Sequence, residues 1–432
     1  MLFVVGIQGA PLRYRGRLPA EALRLRGQTV EVRHYRDPAL VELTAWADAV
    51  VLYRVPATVQ VLALIAAVRE RHRAVPVLFD IDDLIFDPSL RDQVHGLAKL
   101  SAADQRLWWR GVARYRTTME ACDGYIGSTR ALCDRAAEVT GMPTYRFANG
   151  VGRDLGQVSD REVARPRAPG PLRIGYFSGT TTHDADWAAI EPAVVEVLTA
   201  RPDVELWVGG LLTTGPELAQ FGDRVVRLPM LPWSELPGRL RDLDVNLAPL
   251  VPDSLFNEAK SAIKWLEAAL VETPTVASPT DPFVEAIDDG RTGILASTPQ
   301  EWRAALGSLL DDPLLRRRIG TQARREALLT WGPHVQADRY VEILRAAARQ
   351  VAVDGPRQAT DWEVVADDEP FNAVEAWLEP YPGIAIHPSP ALADRARRTS
   401  VWRYGVAARR VLRVGGPRAV LRKSVQVVRR KL

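Results

Sequence analysis

The fold is decided by residues 244–278, which read DVNLAPLVPDSLFNEAKSAIKWLEAALVETPTVAS. Two short apolar runs, Val245–Leu250 and Thr275–Ser278, flank a segment, Asn257–Val271, whose apolar residues recur at helical spacing. Strands that are apolar throughout are typical of parallel sheets, because helices cover both faces of such a sheet. The stretch therefore predicts a strand–helix–strand unit of a parallel sheet.

The same alternation runs through most of the 432 residues. In addition to the two strands within residues 244–278, the predicted strands are Leu2–Gly6, Val30–Tyr35, Ala49–Tyr53, Val75–Asp80, Gly124–Ser128, Leu172–Ser178, Val204–Gly209 and Val225–Leu228. Helical periodicity lapses between Gly150 and Leu172, where prolines cluster. The pattern predicts an α/β protein of two Rossmann-like, doubly wound domains that face each other across a cleft.

The domain boundaries follow from these breaks. The predicted parts are a first domain at 1–160, a linker at 161–171, a second domain at 172–332, a closing helix at 333–350 that packs back on the first domain, and an extension at 351–432. Ligands of such folds bind at the carboxyl ends of the strands, so we expect the chemistry to lie in the cleft between the domains.

Charge is distributed unevenly along the chain. The total of 56 Lys and Arg against 53 Asp and Glu is nearly balanced, yet residues 395–432 hold thirteen basic residues and no acidic one. Apolar residues interleave with the basic ones there, which favours an anionic membrane surface as a partner. Nucleic acid is not expected as a partner, because no nucleic-acid-binding fold accompanies the charge. The third possibility is that these basic residues neutralise residues 1–394, in which acidic residues outnumber basic ones.

Other classes of protein are not favoured by the composition. Two cysteines are too few for a disulfide framework or a zinc site. Neither a secretion signal nor an apolar run of 18 residues is present in the sequence, so we expect a cytoplasmic protein. The basic residues at 395–432 add the expectation of a peripheral association with the inner face of the membrane.

Lysine is rare, which draws attention to Lys260 and Lys264. Only five lysines occur in the chain, and these two precede Glu267 at helical spacing. On one helix face they would present two compact cations and a carboxylate, a set suited to a diphosphate leaving group and to ribose hydroxyls. The alternative is a solvated face with a Lys264–Glu267 ion pair.

Three further segments carry candidate residues. Phe177–Asp184 places Gly179, Thr180, Thr181 and His183 between a strand and a helix, as a phosphate cradle or simply a capped helix start. Phe79–Asp87 places Asp80, Asp82 and Asp83 at a strand end, where they would bind a divalent metal, position sugar hydroxyls or polarise an acceptor hydroxyl. The alternative is that Asp83 caps a helix while Asp82 pairs with an arginine. The acceptor-side candidates are Gly9, Arg13, Tyr14 and His95. Arg15 could face the same cleft as Arg13 and Tyr14, and a surface loop is the alternative for these three.

Several motifs also resemble a known family in order and spacing. They are Ile126–Leu132, Phe147–Val151, Asp244–Leu250, Lys260–Glu267, Thr273–Ser278, Asp289–Leu295 and the stretch from Asp311 to Arg324. Together they are similar to the GT-B glycosyltransferases of retaining family 4, also called group 1. The likeness spans about residues 1–345 and is strongest over 244–295.

The resemblance implies a first domain that binds the acceptor and a second domain that binds a nucleotide-diphosphate sugar. Glu267 matches the second glutamate of the family's E-x7-E motif, which holds the ribose, while the first glutamate is replaced by Ala259. Either lysine would supply the cation for the diphosphate. The other residues that the resemblance assigns to the donor are Leu231, in a base-contacting loop, and Pro249, Phe256, Asn257 and Ser261.

The expected function is sugar transfer to an acceptor hydroxyl, with retention of configuration, without a metal and without a cofactor beyond the sugar nucleotide. The expected acceptor is a cell-envelope glycan, a glycolipid or a secondary metabolite. One alternative is a single-domain, metal-dependent GT-A transferase that uses Asp80 and Asp82. Another is a non-catalytic protein that binds nucleotide sugars on an anionic surface.

Overall fold

Two parallel sheets of six strands organise the chain. The computed structural model describes residues 1–7, 10–71, 74–93, 97, 101–167, 169–178, 183–251 and 254–357. The strands are β1 (Leu2–Val5), β2 (Glu31–His34), β3 (Val50–Tyr53), β4 (Val77–Asp80), β5 (Gly124–Gly127), β6 (Thr144–Arg146), β7 (Leu172–Ser178), β8 (Val204–Gly210), β9 (Val225–Leu228), β10 (Val245–Ala248), β11 (Thr275–Ala277) and β12 (Ile294–Leu295).

Helices connect successive strands and cover the sheets. The α-helices are α1 (Ala10–Leu12), α2 (Leu18–Leu25), α3 (Leu40–Trp46), α4 (Val59–Arg69), α5 (Ala102–Glu120), α6 (Arg130–Thr140), α7 (Arg153–Ala164), α8 (Asp184–Ala200), α9 (Leu236–Arg241), α10 (Leu255–Glu258), α11 (Ile263–Ala269), α12 (Asp281–Ala286), α13 (Pro299–Asp311), α14 (Pro313–Trp331) and α15 (Pro333–Asp354). Arg13–Arg17 is a π-helical turn, and Pro88–Gln93 and Pro216–Arg224 are 3₁₀ segments.

The strand orders create one switch point in each sheet. The first sheet runs β2-β1-β3-β4-β5-β6 and the second runs β12-β11-β10-β7-β8-β9. The chain therefore changes direction across the sheet between β1 and β3, and again between β7 and β10. Crevices at the carboxyl ends of such strand pairs are where doubly wound folds bind ligands. The predicted α/β fold with two Rossmann-like sheets is confirmed, and the single-domain GT-A alternative is wrong.

Apolar side chains hold the layers together. One buried cluster surrounds β1, β3 and β4, and a second surrounds β7, β8 and β10. A third joins the two halves, because Tyr14 and Leu18 pack with Trp265 and Leu266. Helix α15 returns to the first half and packs along α2. The domain boundaries drawn from the sequence stay predictions.

Two sequence expectations about local structure are wrong. The region from 150 to 172 contains helix α7, which escaped notice because few of its residues are large and apolar. The helix predicted at Asn257–Val271 is broken into α10 and α11, with residues 259–262 between them. None of the described helices is long and apolar enough to cross a membrane.

Candidate active site

The break before α11 places Lys260 outside the helix that carries Lys264 and Glu267. First-half side chains hold the intervening segment: Thr129 Oγ1 donates to the Ala259 carbonyl at 3.0 Å, and Asn149 Nδ2 donates to Ser261 Oγ at 2.9 Å. Ala259 and Phe256 pack against the first half's core. The expectation that all three charged residues share one helix face is therefore wrong, because these tertiary contacts outweigh helical propensity.

Lys264 lies against the carboxyl end of β7, at the switch point of the second sheet. Its Nζ donates to the Phe177 carbonyl at 2.6 Å and lies 4.8 Å from the ring centroid of Tyr176. Burial lowers the pKa of Lys264 to about 8, although Glu267 opposes this effect. The side chain is thus a cation at neutral pH, beside the segment where we predicted a phosphate cradle.

Glu267 lies one turn further along α11 and meets the first half. The hydroxyl of Tyr14 donates a hydrogen bond to Glu267 Oε1. Burial raises the pKa of Glu267, while Tyr14 and Lys264 act in the opposite direction. The sequence placed Tyr14 on the acceptor side of the cleft. In the structure it contacts Glu267, a residue predicted to bind the sugar nucleotide.

The aspartates after β4 are held by arginines. Asp80 is fully buried and pairs with both Nε and Nη2 of Arg15, at 2.9 and 2.8 Å. Burial raises the pKa of Asp80 to about 6 despite the opposing charge of Arg15. Asp82 accepts hydrogen bonds from Tyr53 at 3.0 Å and from Arg54 at 2.8 Å. The pairing of Asp82 with an arginine is the alternative that the sequence left open.

Asp83 links the two halves. It accepts from Arg54 Nη2 at 2.6 Å, and its Oδ1 lies 3.6 Å from Lys260 Nζ. Burial alone would raise the pKa of Asp83, but Lys260 and Arg54 outweigh burial and lower the pKa. Asp83 is therefore an ionised acceptor at the cleft.

Arg54 is a site residue that sequence reasoning missed. It follows β3 at the switch point of the first sheet and adopts φ +47°, in the left-handed region that non-glycine residues seldom occupy. Such a conformation costs about 1–3 kcal/mol and persists where surrounding contacts demand it. Here the contacts are the two carboxylates of Asp82 and Asp83. No local sequence pattern around Arg54 signals this geometry.

Asp186, which was also missed, organises the donor side. Its Oδ2 lies 2.8 Å from His183 Nδ1, and its Oδ1 accepts from Asn257 Nδ2 and from the Val251 amide, each at 2.9 Å. Burial lowers the pKa of His183, so the imidazole is neutral near pH 7. The structure thus brings the predicted residues His183 and Asn257 together through a carboxylate at the start of α8.

The other predicted residues fall into two groups. Pro249 is buried after β10, and Leu231 is half-buried in the loop after β9. Arg13 forms an ion pair with Glu21. The predictions that fall outside the described residues are Gly9, His95, Gly179, Thr180 and Thr181. In the part of the chain that is described, no group of three or more His, Cys, Asp or Glu side chains is arranged to hold a metal ion.

Two parallel six-stranded sheets, each with a switch point, are the architecture of the GT-B fold. Residues 174–312 match the model of the family described as Glycosyl transferases group 1. The resemblance derived from the motifs is confirmed.

Curated relatives and solved structures agree with this assignment. A D-inositol 3-phosphate glycosyltransferase from Arthrobacter sp. (strain FB24) is 29% identical over 51% of this chain and 58% of its own length. Its counterpart from Kineococcus radiotolerans is 34% identical over 30% of this chain and 31% of its own length. The chain thus spans about half or less of these two relatives. Anabaena HepE in complex with UDP has a TM-score of 0.52 at 16% identity, covering 80% of this chain and 99% of that one, which is a likeness of fold.

Proposed function

We propose that the protein transfers a glycosyl group from a nucleotide-diphosphate sugar to an acceptor hydroxyl, with retention and without a metal. The observation that carries the proposal is the placement of Lys264 and Glu267 one turn apart at the second sheet's switch point, with Lys260 facing Asp83. The match of residues 174–312 to group 1 glycosyl transferases supports it, as do relatives that are named glycosyltransferases.

In this mechanism Lys264 and Lys260 stabilise the negative charge that develops on the departing diphosphate. Glu267 binds the ribose hydroxyls through its carboxylate. Asp83, held by Arg54, orients the acceptor hydroxyl, which attacks the same face of the oxocarbenium-like sugar and passes its proton to the leaving phosphate. The cleft excludes water and so limits hydrolysis of the donor.

The proposal is tested in two stages. UDP-, GDP- and dTDP-sugars are first screened by thermal shift, because a ligand that binds only the folded state raises the unfolding temperature. The best donor is then assayed with cell-envelope glycans, glycolipids, secondary metabolites and inositol 3-phosphate, the last because the relatives are named for it. NMR of the product gives the anomeric configuration. Activity that is abolished by EDTA and restored by manganese would contradict the metal-free step, and binding without turnover would favour the non-catalytic alternative.

Lys260→Ala separates catalysis from stability. The Lys260–Asp83 pair is partly exposed, and such pairs contribute at most about 1 kcal/mol to folding. We expect the variant to unfold within that margin of the wild type but to turn over about 10–100-fold more slowly, because one cation near the leaving group is lost. Urea unfolding and initial rates measure the two effects. A large loss of stability with unchanged turnover would show that Lys260 only joins the two halves.

We also propose that residues 395–432, which lie outside the described residues, bind an anionic membrane surface. Thirteen basic residues without an acidic one would each gain about 1 kcal/mol near such a surface. We expect the full chain to sediment with phosphatidylserine-containing vesicles, and a chain ending at residue 394 to stay in the supernatant. Neutral phosphatidylcholine vesicles are the control. Equal sedimentation of both chains would remove the proposed role.

A further inference from the structure

Arg13 carries buried hydrogen-bond donors that nothing in the described chain uses. The side chain is 4% exposed, and its Nη1 lies 3.3 Å from Glu21 Oε1. Its Nε and Nη2 are buried and have no hydrogen-bond partner among the described residues. Because a donor buried without an acceptor is costly, a charged side chain in this state points to a ligand that supplies the missing acceptors.

An aromatic ring covers the guanidinium group. The Arg13 Cζ atom lies 3.8 Å from the ring centroid of Trp233. Trp233 is 37% exposed and belongs to the loop of residues 229–235, which follows β9 at the carboxyl edge of the second sheet. A stacked guanidinium directs its N–H bonds outward in its own plane. That geometry fits the edge of a planar heteroaromatic ring beside an aromatic side chain.

The contacts of Tyr14 and Lys264 relate Arg13 to the rest of the candidate site. Tyr14, the next residue, donates to Glu267, which the proposed function assigns to the ribose. Lys264, assigned to the diphosphate, lies one turn back along α11 and contacts the end of β7. Arg13 is thus next in sequence to the residue that contacts Glu267, and Trp233 lies in the same loop as Leu231, which the resemblance assigns to the base.

We propose that Arg13 reads the base of the sugar-nucleotide donor, its Nε and Nη2 donating to carbonyl or ring-nitrogen acceptors on the base edge. This inference rests on the proposed function, since it requires a nucleotide in the cleft. It moves Arg13 from the acceptor side, where the sequence placed it, to the donor. Because both nitrogens are covered, the loop that carries Trp233 shifts when the base enters.

The experiment measures Kd for UDP, GDP, dTDP and ADP by calorimetry on the full chain. We expect the wild type to prefer one base at least about tenfold. Arg13→Ala and Arg13→Lys bind that nucleotide at least about tenfold more weakly and lose the preference, because lysine retains the charge without the planar fork. The matched control is Glu21→Gln, which removes the ion pair of Arg13 and keeps its base preference.

A second measurement does not depend on the folding of Arg13→Ala. The tryptophan fluorescence of the wild type minus that of Trp233→Phe changes on nucleotide binding if the loop shifts, and an unchanged difference overturns the shift. If the Arg13 variants bind all four nucleotides and pyrophosphate more weakly by the same factor, Arg13 contacts phosphate and the proposed recognition of the base is wrong. Unchanged Kd values, with lower unfolding temperatures in both Arg13→Ala and Glu21→Gln, would show a purely structural role. A wild type that binds no nucleoside diphosphate would overturn the proposed function itself, and this inference with it.

Discussion

We expect Lys264→Ala to lower kcat/KM for the sugar nucleotide in the proposed reaction by about 10²–10³-fold. This is the size of effect seen when one preorganised donor to a developing negative charge is removed. Lys264 meets the requirement for preorganisation, because the Phe177 carbonyl and the Tyr176 ring fix its ammonium group. Initial rates at several donor concentrations measure the change. Arg303→Ala, which removes an exposed cation from the same half, is the control and leaves the rate unaltered.

The pH dependence of kcat/KM gives an independent check on the role of Lys264. Burial lowers the pKa of Lys264 to about 8, so the free protein loses this cation as the pH rises through that value, and kcat/KM falls with it. The contribution of Lys264 to folding stability changes in the opposite direction as the pH rises. Between about pH 8 and pH 10.4 the unfolded chain binds the proton and the folded chain does not, so this residue makes the protein more stable as the pH rises.

Lys264→Arg distinguishes these effects from a general loss of structure in alkali. Arginine stays charged throughout this range, so the alkaline fall in kcat/KM disappears even if the rate at pH 7 is lower. A variant that keeps the alkaline fall would assign it to another group and weaken the role of Lys264.

Much of the fold could be predicted from the sequence, because apolar runs and helical periodicity are local signals. The strands Leu172–Ser178 and Val225–Leu228 begin and end where the pattern places them. Helix α7 was missed because its only large apolar residues are Leu155, Val158 and Val163. The break at 259–262 was missed because its cause, the contacts of Thr129 and Asn149, comes from residues more than a hundred positions away.

The candidate site shows the same division between local and distant causes. Residue type and spacing indicated Lys260, Lys264, Glu267 and the aspartates, whose chemistry is visible in the chain itself. The roles of Arg54, Arg15 and Asp186 depend on which carboxylate or amide each one meets in space. Apart from His183, which is close to Asp186 in sequence, those partners are distant along the chain, so a single sequence carries no signal for them.

Asp80→Asn lowers the free energy of unfolding by about 3–5 kcal/mol, the cost of leaving a buried charge without its partner. Both Asp80 and Arg15 are fully buried, and the guanidinium has no route to water that would replace the lost carboxylate. Urea unfolding measures the effect. Asp311→Asn, which removes the same kind of partner from an exposed pair with Arg201, is the matched control and costs less than about 1 kcal/mol.

The buried pair also reaches the cleft through a continuous chain of hydrogen bonds. Arg15 Nη1 donates to Asn149 Oδ1 at 3.2 Å, and Asn149 Nδ2 donates to Ser261, the neighbour of Lys260. Arg15→Met with Asp80→Leu removes both charges, so it recovers most of the stability that Asp80→Asn loses. It still lacks the bond to Asn149, and we expect its turnover to stay below the wild type. Recovery of both stability and turnover would show that the pair only fills the core, whereas recovery of stability alone ties Arg15 to the placement of the Lys260 segment.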